Sequence, residues 1–316
     1  MKHSVRVAVT SLATLEAVSP PYNLGPVDPR QNLERGISIL EAAGAQGADI
    51  ALLPETFMGA GMGSKEHRAI AEPVEGPSYR RVAEQARKYS MNVVAGFVAI
   101  DAGCLFNTSV LINRDGHLAG LYRKQFLTAG EIDADIRPGD SQSVFDTDFG
   151  RIGLATCFDL NFPAVWNRFE EEQVALVCWL SAYDGGFPLR ALAWRHQYPI
   201  ATSVMSYNGR LVDITGRYLA STSRWTRVAI CDVNLDKRLF HTDGQAEKIL
   251  ELQKRYGSRI RVEGLTEEHM FSIEPVDDEL SIEHLIRDES LIELRTYMRK
   301  SEEGRLRALA GASGIV

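Results

Sequence analysis

Arg151-Ile152-Gly153-Leu154-Ala155-Thr156-Cys157-Phe158-Asp159-Leu160-Asn161-Phe162-Pro163 is an apolar run that ends on a cysteine, where a helix start is expected to follow at once. A strand running straight into a helix N-terminus projects its last side chain from a tight turn, and the positive end of the helix dipole favours a thiolate there. Alone, Cys157 reads first as a core thiol, because free cysteines are among the most buried residue types. The decision has to come from elsewhere in the chain.

Outward from that stretch, strand and helix patterns alternate. Ser143 to Asp146 and Ile152 to Thr156 read as a hairpin turning near Asp148-Phe149-Gly150. A helix from about Phe162 to Glu172 leads to the apolar run Val174 to Leu180, the composition of a central strand. Beyond it come a helix over Leu189 to Gln197, a strand over Ile200 to Met205, and antiparallel strands at Leu211 to Thr215, Tyr218 to Ser221 and Val228 to Val233. Upstream, Val5 to Leu12 is strand-like, and a loop with Pro20, Pro21, Asn23, Gly25 and Pro26 leads to Asp28-Pro29-Arg30-Gln31, which offers an N-cap, a proline at N1 and a capping-box glutamine. Leu33, Ile37 and Leu40 give that helix its apolar face. A second helix is expected from Pro77 to about Tyr89, then a strand over Val93 to Ile100 and a hairpin, Thr108 to Ile112 with Leu118 to Tyr122, around Asp115-Gly116. Such alternation means sheets covered by helices.

Two more apolar strands end as the first does. Ile50-Ala51-Leu52-Leu53-Pro54-Glu55 stops on proline and a carboxylate, and Leu121-Tyr122-Arg123-Lys124 stops on an ammonium. In a layered α/β fold, strand ends converge where ligand crevices form, so Glu55, Lys124 and Cys157 are expected at one sheet edge.

Composition excludes several other roles. With 45% hydrophobic and 24% charged residues, the 316-residue chain is ordinary globular material. A net charge of −7 without basic blocks argues against nucleic acid and anionic membrane as partners. No run reaches membrane-spanning length and no secretory leader is read at the N-terminus, so a cytoplasmic protein is expected. Cys104, Cys157, Cys178 and Cys231 are far apart, with no CxxC pair and no clustered histidines, which indicates four free thiols and neither a disulfide framework nor a zinc site. We place one domain over residues 1–240. Residues 241–316, where acid and base interleave, are expected to be a mostly helical extension, with helices at Gln245 to Tyr256 and Leu280 to Leu309, packing on the body or on a partner subunit.

Taken in order, Leu52-Leu53-Pro54-Glu55-Thr56-Phe57, Tyr122-Arg123-Lys124 and Thr156-Cys157-Phe158-Asp159-Leu160-Asn161-Phe162-Pro163 resemble the three catalytic motifs of the nitrilase superfamily of carbon–nitrogen hydrolases. The resemblance runs from about Val5 to Asp236. It implies a four-layer αββα sandwich that assembles into homodimers or larger homo-oligomers. It also implies cysteine amide chemistry, with Cys157 as nucleophile, Glu55 as general base and then acid, and Lys124 with the backbone N–H of Phe158 stabilising the tetrahedral intermediate. Glu131 is the candidate for the family's second glutamate. The implied substrate is a small linear amide or N-carbamoyl compound, cleaved through a thioester with release of ammonia and without a metal or organic cofactor. Acyl transfer to an amine, nitrile hydrolysis and a non-catalytic binding role stay open. Cys157-Phe158-Asp159 looks like the amidase and carbamoylase branches, while Asn161 stands where many relatives carry arginine. Tyr183, Trp194 and Phe57 are the candidate substrate contacts, with Met58 and Trp225 behind them.

Overall fold

The computed structural model describes residues 4–13, 28–140 and 142–312. They divide into two compact units, a body over Val5–Val233 and a second unit built from Asn234 onward. The expected loop around Pro20 to Pro26 lies outside the described residues.

The body opens with β1 (Ser4–Ser11), α1 (Pro29–Ala45) and β2 (Ile50–Leu52), then α2 (Pro77–Tyr89) and the meander β3 (Asn92–Asp101), β4 (Cys104–Ile112) and β5 (Leu118–Arg123). A single-turn α3 (Ala129–Ile132) precedes β6 (Val144–Thr147), β7 (Gly150–Thr156), α4 (Pro163–Glu171), β8 (Leu176–Ser181), α5 (Phe187–His196) and β9 (Ile200–Val204). The short strands β10 (Arg210–Val212), β11 (Tyr218–Ser221) and β12 (Val228–Asn234) complete it.

The strand order is β5-β4-β3-β2-β1-β9-β8-β7-β6. Pairing is parallel from β3 through β2, β1, β9 and β8 to β7, and antiparallel in the flanking pairs β3–β4, β4–β5 and β6–β7. The parallel stretches are buried on both faces, as the continuous apolar runs of β2 and β8 require. The two halves of the sheet lie face to face. Ser109 on β4 and Thr156 on β7 share a 2.9 Å hydroxyl hydrogen bond between them.

Helices α1 and α2 cover the first half, where Ile37, Leu40, Val82 and Ala86 pack with Val93 and Ala95. On the second half, Val165, Trp166 and Phe169 of α4 and Leu189 and Ala193 of α5 pack with Val177 and Trp179. The result is the expected αββα sandwich. Asp28 caps α1 by accepting from Arg30 N at 2.9 Å, with Pro29 in the first turn. Among the described residues, no helix is long and apolar enough to cross a membrane.

The second unit corrects two expectations. Helix α6 (Lys248–Tyr256) falls close to where it was expected, the single helix expected over Leu280 to Leu309 is instead two, α7 (Ile282–Asp288) and α8 (Leu294–Ala312), and the unit also holds a three-stranded antiparallel sheet. That sheet joins β13 (Arg238–His241), β14 (Ile260–Leu265) and β15 (Met270–Pro275) in the order β13-β15-β14. Phe240, Phe271 and Ile273 close its core against Leu252 and Leu285. The strands were missed because their solvent faces carry Arg238, Arg261 and Glu274, so only short apolar alternation remains to read.

One contact inside the body sets where Glu55 can stand. Gly96 on β3 lies so close to the chain after β2 that a Cβ there would sit 2.5 Å from Pro54 O and 2.7 Å from Glu55 Cα and Thr56 N. These are backbone atoms that cannot rotate away. Gly96→Ala is therefore expected to destabilise the protein by roughly 1–3 kcal/mol. Thermal denaturation should show a drop in Tm of several degrees, and an unchanged Tm would contradict the tight approach.

Candidate active site

Strand β7 delivers Cys157 into the wall of a cavity of about 530 Å³. The residue takes a left-handed backbone conformation, φ +50, as the chain turns from strand into the five-residue 3-10 turn Cys157–Asn161. For a non-glycine residue that geometry is strained and persists only where the surroundings enforce it. Asp159 does most of the enforcing. Its carboxylate accepts from Thr156 N at 2.8 Å, Phe126 N at 3.0 Å and Tyr122 Oη at 2.6 Å, which ties the turn to β5 and to the loop after it. From the other side, the Cys157 carbonyl accepts from Trp179 Nε1 at 3.2 Å and Tyr183 Oη at 3.4 Å. The α-helix expected at this point begins only at Pro163, so its dipole does not act directly on the thiol.

Facing Cys157 is a buried polar knot. Lys124 Nζ donates to Glu55 Oε1 at 2.9 Å and to Glu131 Oε2 at 2.8 Å and Oε1 at 3.0 Å. Asn107 Nδ2 lies between the same carboxylates and donates 2.7 Å bonds to Glu55 Oε1 and Glu131 Oε1. Ala182 N donates to Glu55 Oε2 at 3.1 Å. Glu131 is fixed from its own helix as well, since its Oε2 accepts from Thr128 N at 2.8 Å and Thr128 Oγ1 at 2.9 Å in a capping box. All four polar side chains are buried, with Lys124 only 1% exposed. Lys124 enters the knot because its N–H pairs with Asn107 O as the β4–β5 ladder ends.

The electrostatics follow from this crowding. Burial pulls the Lys124 ammonium down, but Glu55, Cys157 and Glu131 outweigh it and hold the group above its ordinary value. Burial raises Glu131, yet the Lys124 charge and the bonds from Lys124, Asn107 and Thr128 win and keep its carboxyl below the usual range. Burial, reinforced by the Glu55 carboxylate beside it and only partly offset by Lys124, pushes the Cys157 thiol up. The resting sulfur is thus a thiol poised against a carboxylate. Asp159 is raised to about 6 by burial, against the three hydrogen bonds it accepts.

Glu55, Lys124 and Cys157 therefore meet in one cavity, as the strand endings implied, Glu131 joins them there, and Phe158 lines it beside the thiol. Of the three expected substrate contacts only Tyr183 is there. Phe57 is fully buried core, packed edge-on against Phe97. Trp194 lies on α5, partly exposed, away from the cavity lining, and Trp225 is an exposed surface residue. Several lining residues escaped the sequence reading, among them Asn107, His67, Met62 and Met205. Asn107 left one faint signal, a polar amide inside a strand, where asparagine is depleted. His67 belongs to a 3-10 turn, Ser64–Ile70, that has no periodicity to detect. Among the described residues, no group of three or more His, Cys, Asp or Glu side chains is arranged to hold a metal ion.

A sandwich of this kind with a Glu-Lys-Cys cavity defines a class. The carbon-nitrogen hydrolase family model matches residues 6–238, so the chain belongs to that family, within the nitrilase superfamily of amidohydrolases acting on carbon–nitrogen bonds other than peptide bonds. Among its relatives, the omega-amidase NIT2 of Bos taurus is 27% identical over 245 residues, covering 71% of this chain and 87% of its own. The omega-amidase NIT2 of Homo sapiens is 27% identical over 244 residues, covering 71% and 86%. Among solved structures, an amidase from Nesterenkonia sp. superposes with a TM-score of 0.63 at 20% identity, over 81% of this chain and 98% of that one. That likeness establishes the fold.

The ion knot makes a pH prediction. A carboxyl held lower in the folded state than its ordinary 4.5 contributes stability that is complete above that value and is lost as pH falls through the folded one. Thermal melts between pH ~7 and ~3 should therefore show the wild-type Tm falling more steeply below the ordinary glutamate range than that of Glu131→Gln. Parallel curves would contradict the coupling of Glu131 to Lys124.

Proposed function

We propose that the protein hydrolyses a small linear amide or N-carbamoyl compound through a thioester on Cys157. The observation that carries this reading is the convergence of thiol, carboxylate and ammonium in one buried cavity, with Lys124 Nζ 2.9 Å from Glu55 Oε1 and the carboxylate beside the sulfur. Each partner then has one task. Cys157 Sγ attacks the carbonyl carbon while its proton passes to Glu55, so no standing thiolate is needed. Charge growing on the carbonyl oxygen is met by Lys124 and the Phe158 N–H. As the tetrahedral intermediate collapses, Glu55 returns the proton to the departing nitrogen and ammonia leaves. Water, deprotonated by Glu55, then attacks the thioester, and the carboxylic acid departs as the sulfur regains its proton. Glu131 and Asn107 touch Glu55 or Lys124 and act as positioning residues, holding the base and the cation in register.

The relatives support the substrate class. Two are omega-amidases, and a mutant of the amidase from Nesterenkonia sp. AN1 has been solved in complex with butyramide. The reading extends to a homo-oligomer, for which the motive is the family resemblance together with the exposed Phe187 and Trp194 along α5. Light scattering of the purified chain checks it, and a monomeric mass would refute it.

Ammonia release from a panel of amides, N-carbamoyl amines and nitriles tests the activity. Wild type should turn over at least one amide, Cys157→Ala none, and Glu55→Gln and Lys124→Met should lose roughly a thousandfold or more at a temperature where circular dichroism shows both still folded, with a lowered Tm for Lys124→Met. Adding hydroxylamine separates hydrolysis from acyl transfer. An inert wild type across the panel would overturn the reading.

A further inference from the structure

We infer that the cavity selects substrates whose acyl portion carries no negative charge. The inference rests on the proposed amide chemistry for its meaning, but its grounds are the charges around Cys157. Among the described lining residues, two carboxylates, Glu55 and Glu131, stand against a single ammonium, Lys124, with no arginine present. In the resting site that ammonium is 1% exposed and lies within 3.0 Å of three carboxylate oxygens, so its charge is matched by groups already there and turns to the carbonyl oxygen only as Glu55 takes the cysteine proton.

The remaining polar groups do not change the balance. His67 is buried in the wall, 8% exposed, with its Nδ1 unpartnered. Burial draws its imidazole toward the neutral form, and the raising influence of Glu55 and Glu131 does not reverse this. Tyr183 keeps its proton, raised to about 12 chiefly by burial. Its hydroxyl donates to the Cys157 carbonyl. Asn161, close by in the cysteine turn, spends its amide on Phe158 O at 3.1 Å.

An anionic acyl group entering here would give up its hydration in a partly enclosed space and find, among the described lining residues, a net negative wall with no second cation. An uncharged one meets neutral hydroxyls and the apolar surface of Met62, Met205 and Phe158. The discrimination is therefore electrostatic rather than steric.

Two reagents of nearly equal size test this directly: iodoacetamide, which is neutral, and iodoacetate, which is anionic. Rate constants for alkylation of Cys157 are read by peptide mass mapping, which separates it from the other three cysteines. The ratio is compared with that of the same pair on N-acetylcysteine. Like-charge juxtaposition costs several kcal/mol, so Cys157 should favour the amide reagent by roughly a hundredfold more than the free thiol does. An unshifted ratio overturns the inference.

Ammonia release from butyramide, succinamate and the methyl ester of succinamate gives the second reading. Both neutral compounds should be cleaved, with succinamate roughly a hundredfold lower in kcat/KM. Succinamate turned over as well as its ester also overturns the inference. Selective alkylation without ammonia from any of the three would leave the charge selection standing and sink the hydrolytic reading instead.

Discussion

Burial of Lys124 between two carboxylates is the constraint on which the rest of the structure depends. An ammonium at 1% exposure is tolerable only if its lost hydration is replaced, and here Glu55 and Glu131 replace it within 3.0 Å. Removing one partner of such a group typically costs about 3–5 kcal/mol, because the survivor is left uncompensated. The three charges come from separate parts of the chain: the end of β2, the end of β5 and the capping box of α3. Their mutual need holds those segments in register. Asn107 strengthens the arrangement by donating to both carboxylates from a neighbouring strand.

The cysteine is held by a different device. Its positive φ, and that of Thr56 directly after Glu55 at +38, mark two strained points in the lining of the same cavity. Hydrogen bonds compensate the first strain, through Asp159 below and Trp179 and Tyr183 above. Close packing fixes the second, through Gly96. Charge and sulfur are thus brought together by independent supports. The sulfur reaches the knot as a protonated thiol, which makes the carboxylate beside it the natural proton acceptor at the moment of attack.

Much of this was legible in the sequence because it is encoded at strand ends. An apolar run stopped by Pro54-Glu55, by Arg123-Lys124 or by Cys157 is a local signal, and three of them in order specified both the family and the residues that converge. Glu131 was legible only through resemblance, since nothing local separates it from the acids Asp133 and Asp135. Residues whose roles depend on tertiary placement alone stayed hidden. Asn107 becomes a bridge only when β4 pairs with both β3 and β5, and His67 reaches the cavity from a turn without periodicity. Aromatic character misled in the opposite direction, because Phe57 and Trp194 satisfied the description of a pocket wall while serving as core and surface. In the second unit, charged solvent faces masked three strands between helices that were otherwise visible.

The central claim is that this polar knot makes Cys157 a covalent nucleophile toward an amide carbonyl. Rapid acid quench during turnover, followed by mass spectrometry of the peptide carrying Cys157, measures that most directly. The account predicts a mass increase equal to the acyl group of the substrate, confined to Cys157, forming and decaying with turnover. Steady amide hydrolysis with an unmodified Cys157 at every time point, or an acyl group on another residue, would contradict it.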